Sequence, residues 1–378
     1  MQFQNTLLKP VKMKYLFFFV HPSKFHVFRN TINALKERGH QVDILITSKD
    51  VLEELVQEEG WTYTNIFPEG RKMKNVPSYI SSGINFFRTI YRLKKYTKGK
   101  KYDLFITDDL LVYIGKWRKV PSIVFCDDDI SIVKQFSLVL SKANHILSPE
   151  ITDLGKFNNK GIGFSGYKEL AYLHPNHFIP NINIVKGFNP ELSPYFILRL
   201  VSLRAYHDVG MKGLSNEQVK KLIKLLSGFG KVFISAEREL PDEFEEFRLK
   251  IDSKDIAHAL NFAQMFIGDS QTMTSEAAVL GTPAFRCNDF AGKISVMEEK
   301  ETKYGLSFNY PPFNFEEMYN NIVTLLNTEN FKETFQERKG KMLSEKIDLS
   351  SFMIWLFENY PKSIEHIKDN PNYQYKFK

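Results

Sequence analysis

MFIGDSQTMTSEAAVLGTPAF, residues 265–285, combines an apolar run, a polar turn, a helix-forming stretch and a second apolar run. The opening apolar run has the composition of a buried strand, and Ser270 stands where a helix N-cap is expected. Gly281 tolerates a positive φ, and Pro283 cannot continue a helix. The segment therefore predicts a strand–helix–strand unit with the helix over 271–280.

The start of this helix is suited to bind a diphosphate. The first N–H groups of a helix have no partner within it and lie at the positive end of its dipole. We therefore expect Ser270, Gln271 and Thr272 to bind the pyrophosphate of a nucleotide sugar without a lysine. Glu276 follows one turn later, where its carboxylate could accept two hydrogen bonds from a ribose diol. The alternative is a purely structural unit whose hydroxyl groups only cap the helix.

The longer string 268–289 resembles the donor-binding region of the glycosyltransferase B (GT-B) superfamily. Within that superfamily it resembles DUF354, a family described as glycosyltransferase candidates similar to UDP-N-acetylglucosamine 2-epimerase. Three other stretches carry the same resemblance: HPSKFH at 21–26, GYKELAYLHP at 166–175 and LRAYHDVGMKGLS at 203–215. The resemblance spans about residues 13–310. It implies an α/β protein of two doubly wound Rossmann-like domains that face a central cleft.

Length and composition agree with two domains. The chain has 378 residues, more than one hydrophobic core usually serves, and its 43% hydrophobic and 25% charged residues are typical of globular proteins. Cys126 and Cys287 suggest neither a disulfide framework nor a metal cluster, which favours a reducing compartment. The apolar run 15–20 is far shorter than a membrane span, and no small-residue cleavage site follows it. We therefore expect a cytoplasmic protein.

Predicted strands and helices alternate in both halves of the chain. In the first half, strands are predicted over 14–20, 41–46, 102–106, 121–125 and 144–147, and helices over 24–38, 50–59 and 77–96. In the second half, strands are predicted over 195–201, 231–236, 265–268 and 283–286, and helices over 215–227, 254–263, 271–280, 315–327, 330–345 and 349–359. Such alternation predicts parallel sheets. We expect an acceptor-side domain over 1–180, a nucleotide-sugar donor domain over 181–348, and a C-terminal helix within 349–378 that packs back on the first domain.

Polar residues follow two strands of the second half, where an open α/β sheet binds its ligands. Ser202 and Arg204 come directly after the first of these strands, and His207 comes soon after. The Arg204 guanidinium could neutralise the leaving diphosphate in place of a metal, and the alternative for it is a surface ion pair. Ser235 and Glu237 end the next strand and are expected to line the same donor pocket.

An inverting sugar transfer needs a general base for the acceptor hydroxyl. His21 directly follows the first strand and His26 lies early in the first helix, so both can face the cleft, although either could merely cap or pack at the helix start. Asp127, which follows strand 121–125, is the second choice, because adjacent carboxylates more often form a solvated turn. No HExxH, CxxC pair, Gly-x-Ser-x-Gly or Walker sequence is present. We therefore expect no metal and no cofactor besides the nucleotide-sugar substrate.

Basic charge is concentrated in one segment. Residues 71–101 contain ten Lys/Arg and no Asp/Glu, in a chain whose formal net charge is +7. Aromatic and aliphatic residues are interleaved with these charges, a mixture suited to an anionic membrane surface or a lipid-diphosphate acceptor. The alternative is a solvated basic helix that packs its aromatic residues on the sheet. No helix-turn-helix, zinc or RNP pattern supports nucleic-acid binding.

Together these features predict a metal-independent enzyme that transfers a sugar from a nucleotide diphosphate, most simply a UDP-sugar, to a cell-surface glycan or lipid-linked acceptor. It could act at the inner face of the cell membrane. The first alternative is a nucleotide-sugar 2-epimerase. Such enzymes open with a Gly-Thr-Arg-Pro-Glu loop after the first strand, where this chain has VHPSK at 20–24. The second is a noncatalytic nucleotide-sugar-binding protein, and the presence of Glu276 together with His21 and His26 argues against it.

Overall fold

The computed structural model describes residues 12–71, 78–202 and 213–378. These residues form two parallel sheets. The first has seven strands in the order β3-β2-β1-β4-β5-β6-β7, and they are β1 Lys14–Phe18, β2 Gln41–Ile46, β3 Thr64–Asn65, β4 Leu104–Thr107, β5 Ser122–Phe125, β6 His145–Pro149 and β7 Gly161–Phe164. The second has five strands in the order β12-β11-β10-β8-β9, and they are β8 Tyr195–Leu200, β9 Lys231–Ala236, β10 Met265–Gly268, β11 Ala284–Cys287 and β12 Ser307–Tyr310.

Helices connect these strands and pack against the two sheets. In the first half they are α1 Pro22–Glu37, α2 Leu52–Glu58, α3 Ser78–Thr97, α4 Leu111–Arg118, α5 Ser137–Lys142 and α6 Ile182–Phe188. In the second half they are α7 Asn216–Leu226, α8 Ile256–Phe262, α9 Gln271–Leu280, α10 Ser295–Thr302, α11 Phe315–Leu326, α12 Phe331–Glu345, α13 Leu349–Glu358 and α14 Lys362–Asp369. The α/β fold of two doubly wound parallel sheets is therefore confirmed. No helix in the described parts of the chain is long and apolar enough to cross a membrane.

The predicted strands and helices are confirmed to within two residues at each end. Helix α9 begins and ends as its residues require. The Ser270 side chain accepts a hydrogen bond from the Met273 N–H at 3.3 Å, and Gly281 ends the helix with φ at 75°. A left-handed residue after the last turn is a common helix stop, and glycine adopts it with little strain.

The stretch after Pro149, which we expected to connect the domains, contains regular structure. Strand β7 pairs with β6 and completes the first sheet, and α6 follows at 182–188. The β7 sequence GIGF has only two large apolar residues, so its pattern is too short to identify a strand. Helix α4 was also missed. It contains Gly115, where a Cβ atom would lie 2.8 Å from the Val120 carbonyl oxygen, so glycine is needed there for close packing.

The two halves share a continuous core. One cluster of buried apolar residues contains Phe125 and Phe164 of the first sheet together with Phe266 and Ala277 of the second half. Helix α13 also packs against α1. There the Tyr15 hydroxyl of β1 donates to the Phe357 carbonyl oxygen of α13 at 3.2 Å. The C-terminal helix therefore contacts the first half, although it follows the second half in sequence.

Candidate active site

A guanidinium group lies at the carboxyl ends of β8 and β9. Arg199 donates from Nη1 to Ser235 Oγ at 2.7 Å and forms an ion pair with Glu237. Strand β10 approaches closely on the other side, because a Cβ atom at Gly268 would lie 2.6 Å from the Arg199 carbonyl oxygen. The structure thus brings Ser235 and Glu237 together around an arginine that the sequence interpretation did not select. The signal was present, since Arg199 is the one charged residue in the apolar strand YFILRL.

The first turn of α9 lies at the same edge of the second sheet. Ser270 caps this helix and is mostly buried, whereas Gln271 and Thr272 are partly exposed. The Gln271 side-chain amide donates to Asp128 Oδ1 of the first half at 3.3 Å. The helix N-terminus therefore faces the ends of the first-half strands, as a ligand site between the halves requires.

Glu276 lies one turn into α9 and is 6% exposed. Its Oε1 accepts a hydrogen bond from the Tyr172 hydroxyl at 2.8 Å. Burial raises the pKa of Glu276 to about 7, and the Tyr172 hydrogen bond and the nearby Arg199 charge only partly oppose this rise. The carboxylate is therefore balanced between its charged and neutral forms near neutral pH.

Tyr172 belongs to the stretch 166–175, which bridges the two halves. The Tyr167 hydroxyl donates to Glu299 of α10 at 2.6 Å. Glu169 and Lys300 are both buried, with Glu169 Oε2 3.8 Å from Lys300 Nζ, and burial lowers the pKa of Lys300 to about 8. The sequence interpretation used this stretch only for its resemblance. The structure shows that the side chains of Tyr167, Glu169 and Tyr172 contact the second half.

Asp127 follows β5 and is held by two lysines. Lys24 Nζ of α1 lies 2.5 Å from Asp127 Oδ1, and Lys168 Nζ lies 2.6 Å from Oδ2. Burial alone would raise the pKa of Asp127, but the Lys168 and Lys24 ammonium groups outweigh it and hold that pKa far below its usual value. The neighbouring Asp129 accepts from the Ser295 N–H at 2.8 Å, which adds a further contact between the halves. Asp127 is therefore a permanently charged anchor and a weak proton acceptor.

A cavity of about 720 Å³ opens beside these carboxylates. Its walls come from both halves and include Lys24, Asp108, Asp127, Asp128, Phe290 and Lys293. Asp108 Oδ1 is buried without a hydrogen-bond partner among the described residues, and burial raises the pKa of Asp108 to about 7. The sequence interpretation missed Asp108, although it follows β4 as Asp127 follows the adjacent β5. The cavity is large enough for a small polar acceptor group.

The two histidines differ in what they can do. His21 is the N-cap of α1, and its Nδ1 accepts from the Ser23 N–H at 3.1 Å. Burial lowers the pKa of His21 to about 3 and that of His26 to about 4, so both rings are neutral at pH 7. The neutral His21 ring must carry its proton on Nε2, which makes Nε2 a donor. His26 instead packs its ring against Tyr172, with the two ring centres 5.3 Å apart.

Three predicted donor residues lie at or beyond the end of β8. Ser202 is described and partly exposed, two residues after the strand. Arg204 and His207 lie outside the described residues. Among the residues that the structure describes, no group of three or more His, Cys, Asp or Glu side chains is arranged to hold a metal ion.

Comparison with solved structures identifies the fold. The chain is similar to MnaA of S. aureus, solved with UDP, at 11% identity and a TM-score of 0.65, with 93% of this chain and 97% of that chain covered. It is also similar to the UDP-GlcNAc 2-epimerase of Neisseria meningitidis bound to UDP-GlcNAc, at 12% identity and a TM-score of 0.60, with 92% and 100% covered. A third similar structure is the spinosyn forosaminyltransferase SpnP, at 13% identity and a TM-score of 0.60, with 90% and 97% covered.

These likenesses establish a GT-B fold, which glycosyltransferases and UDP-GlcNAc 2-epimerases share. No curated protein sequence matches the chain. The profile of one protein family, described as a protein of unknown function (DUF354), matches residues 19–303, which is most of the chain. Because this match covers most of the chain, the protein belongs to the DUF354 family.

Proposed function

We propose that this protein is a glycosyltransferase that takes a sugar from a nucleotide diphosphate, most simply a UDP-sugar, and transfers it to a cell-surface glycan or lipid-linked acceptor. One observation carries the proposal. A helix N-terminus at Ser270, the Arg199 guanidinium and the buried Glu276 carboxylate lie at one edge of the second sheet, where the first turn of α9 contacts Asp128 of the first half. Each of these groups matches one part of a nucleotide-sugar donor.

The diphosphate is placed at the first turn of α9. Backbone N–H groups of Gln271 and Thr272 and the helix dipole favour an anion there. Arg199 supplies a positive charge beside this turn, and Arg204 is proposed for the same task. When the bond between the sugar and the diphosphate breaks, these groups neutralise the charge that develops on the leaving oxygen. This arrangement needs no metal ion.

Glu276 is proposed to hold the ribose. In the structure its carboxylate accepts from the Tyr172 hydroxyl, and a ribose hydroxyl offers the same donor chemistry. Ser202, His207, Ser235 and Glu237 complete the proposed donor pocket.

His26 is proposed as the general base. The acceptor oxygen attacks the anomeric carbon, the bond to the diphosphate breaks, and the base takes the acceptor proton. His26 is neutral and its ring makes only aromatic contacts among the described residues, so a ring nitrogen is available as an acceptor. His21 is better suited to donate a hydrogen bond from Nε2. Asp127 is better suited to hold the two lysines that pair with it.

Product analysis tests this function. The full chain would be incubated with UDP-sugars and a membrane glycan extract, and free UDP and the sugar nucleotide would be quantified by chromatography. Transfer predicts that UDP accumulates with the acceptor and that His26→Ala slows its release. A 2-epimerase would instead convert the UDP-sugar into its C2 epimer. A protein that binds UDP-sugars but forms neither product would be a binding protein, and the proposal would be wrong.

A further inference from the structure

Three neighbouring helices of the first half contain no acidic residue. Helix α3 packs against α4, and α4 packs against α5. None of the three contains Asp or Glu. This lack of acidic residues is unusual in a chain with 44 of them, so the surface is strongly biased toward positive charge.

Helix α3 is apolar on its outer side as well as on its inner side. Leu93 is fully buried, so one side of the helix packs on the protein. Ile80, Ile84, Phe87 and Tyr91 are exposed and follow one another at helical spacings of four, three and four residues. Phe87 is 73% exposed and Tyr91 is 67% exposed. The helix therefore carries an apolar stripe that the described residues leave uncovered.

Two more exposed apolar residues lie on the next two helices. Trp117 of α4 is 60% exposed and Leu138 of α5 is 58% exposed. Lys94, which follows Tyr91 by one turn, places its Nζ 4.0 Å from the centre of the Trp117 ring. We call the six exposed apolar residues the docking face, and they are Ile80, Ile84, Phe87, Tyr91, Trp117 and Leu138.

Only part of the surrounding positive charge is neutralised. Arg88 and Arg92 both pair with Glu69, and Arg71 pairs with Asp109. No described carboxylate pairs with the exposed lysines around the docking face, which are Lys94, Lys95, Lys98, Lys116 and Lys142. The docking face is therefore an apolar stripe bordered by free ammonium groups.

We infer that the docking face binds an anionic lipid bilayer, with Phe87, Tyr91 and Trp117 inserted at the level of the headgroups. Aromatic side chains favour that depth, and the lysines around them attract anionic lipids. A symmetric pairing with a second copy of the chain fits this surface poorly, because it would bring two strongly cationic surfaces together. The bilayer is the occupant that matches both the apolar area and the charge.

This orientation also concerns the acceptor, and in that respect the inference rests on the proposed function. The walls of the 720 Å³ cavity include residues 131–136 and Val139 of α5. The cavity therefore borders α5, which also carries Leu138 of the docking face. A protein bound to the membrane through this face would present the cavity to an acceptor carried by a lipid.

Vesicle sedimentation tests the docking face without any knowledge of the acceptor. The full chain would be spun with vesicles of phosphatidylcholine and phosphatidylglycerol, and with vesicles of phosphatidylcholine alone. We expect stronger binding to the anionic vesicles, and a loss of about tenfold in binding when Phe87→Ser and Tyr91→Ser are combined. Phe313→Ser is the matched control, because Phe313 is 84% exposed in the second half and should not contribute.

Charge and insertion are tested separately. Lys95→Glu should weaken binding to anionic vesicles, whereas Lys224→Glu on α7 should leave it unchanged. Insertion of Trp117 should shift its fluorescence to the blue, and Trp117→Phe should abolish that shift, since Trp61 is buried and Trp355 packs against Tyr373 and Phe377 at the C-terminus.

Several results would overturn the inference. They are absence of binding to either vesicle type, equal binding by the Phe87/Tyr91 variant and the wild type, and a dimer in light scattering that the Phe87/Tyr91 variant loses. Tight binding of RNA that this variant loses would also assign the face to another partner. UDP binding measured in the same variants should not change. Vesicle binding by a protein that binds no nucleotide would contradict the proposed function and leave the docking face intact.

Discussion

Glu276 is a deeply buried carboxyl group, and its burial determines its protonation state. Its pKa is raised to about 7, so its carboxylate is largely protonated below that pH and largely ionised above it. An ionised carboxylate accepts two hydrogen bonds from a ribose diol, whereas the protonated form offers one of its oxygens as a donor. We predict that UDP affinity rises as the pH increases through about 7 and that Glu276→Gln removes this dependence. Calorimetric titration with UDP over that pH range measures this dependence, and Glu301→Gln is the control outside the cleft. An identical pH profile in Glu276→Gln would assign the titration to another group.

The same pKa shift affects stability. A group whose pKa is higher in the folded protein than in the unfolded chain stabilises the fold when protonated, and this contribution is lost as the pH rises through the folded pKa. The contribution of Glu276 to the stability of the fold is therefore fully present below pH 4.5, its unfolded pKa. It is lost as the pH rises through about 7, its pKa in the folded protein. Burial of Glu276 thus lowers the stability of the fold at alkaline pH.

Asp127 shows the opposite behaviour, because its charge is compensated. Removing the carboxylate would leave the Lys24 and Lys168 ammonium groups buried beside each other without the carboxylate that contacts them both. We predict that Asp127→Asn lowers the free energy of unfolding by roughly 3–5 kcal/mol, measured by denaturant titration. The exposed pair of Lys220 and Glu243 is the control, and Glu243→Gln should cost less than about 1 kcal/mol. Equal small losses in both variants would show that Asp127 is not an anchor.

At the residue scale, some site residues could be predicted from the sequence and others could not. Ser270 and Glu276 follow a strand and a glycine in a pattern that fixes their places on a helix. Arg199 lies within a strand, where side-chain alternation does not show which of its neighbours it contacts. Lys168 was not selected because its partner Asp127 is 41 residues away in the chain and meets it only after β6 and β7 are in place.

At the scale of elements, the N-terminus of α9 has two proposed roles. Its Ser270 cap stabilises the helix, and its first turn faces the cleft as the proposed diphosphate site. Ser270→Ala should lower stability by roughly 0.5–2 kcal/mol through loss of the N-cap, and it should also weaken UDP binding. Ser215→Ala removes the cap of α7, where Ser215 and Gln218 form a capping box. That variant should lose similar stability and keep its UDP affinity. Equal UDP affinities of both variants and the wild type would place the diphosphate elsewhere.

Elements with a distinct local pattern were predicted, whereas β3 and β7, which lack one, were not. The helix over 271–280 has a cap, a continuous helical stretch and a glycine stop. By contrast, β3 has two residues and β7 has four, and both are recognised only by their pairing with β2 and β6. Pairing with a distant strand is a tertiary interaction, which a local pattern does not contain.

At the scale of the whole molecule, the alternation of strands and helices was sufficient to predict two parallel sheets. It did not predict how the halves meet. The stretch 166–175, the run 127–129 and α13 each supply polar contacts between distant parts of the chain. These contacts place a helix N-terminus from one half against carboxylates of the other. The proposed site depends on this arrangement of the two halves.

The central claim is that the second half binds a nucleotide diphosphate through α9 and Glu276. Isothermal titration of the full chain with UDP tests it most directly, in the wild type, in Glu276→Ala and in the control Glu301→Ala. We predict that UDP binds the wild type and the control alike, and that Glu276→Ala weakens binding by roughly 1–3 kcal/mol, since one buried acceptor is lost. Absence of UDP binding to the wild type, or equal affinity in Glu276→Ala, would contradict the claim.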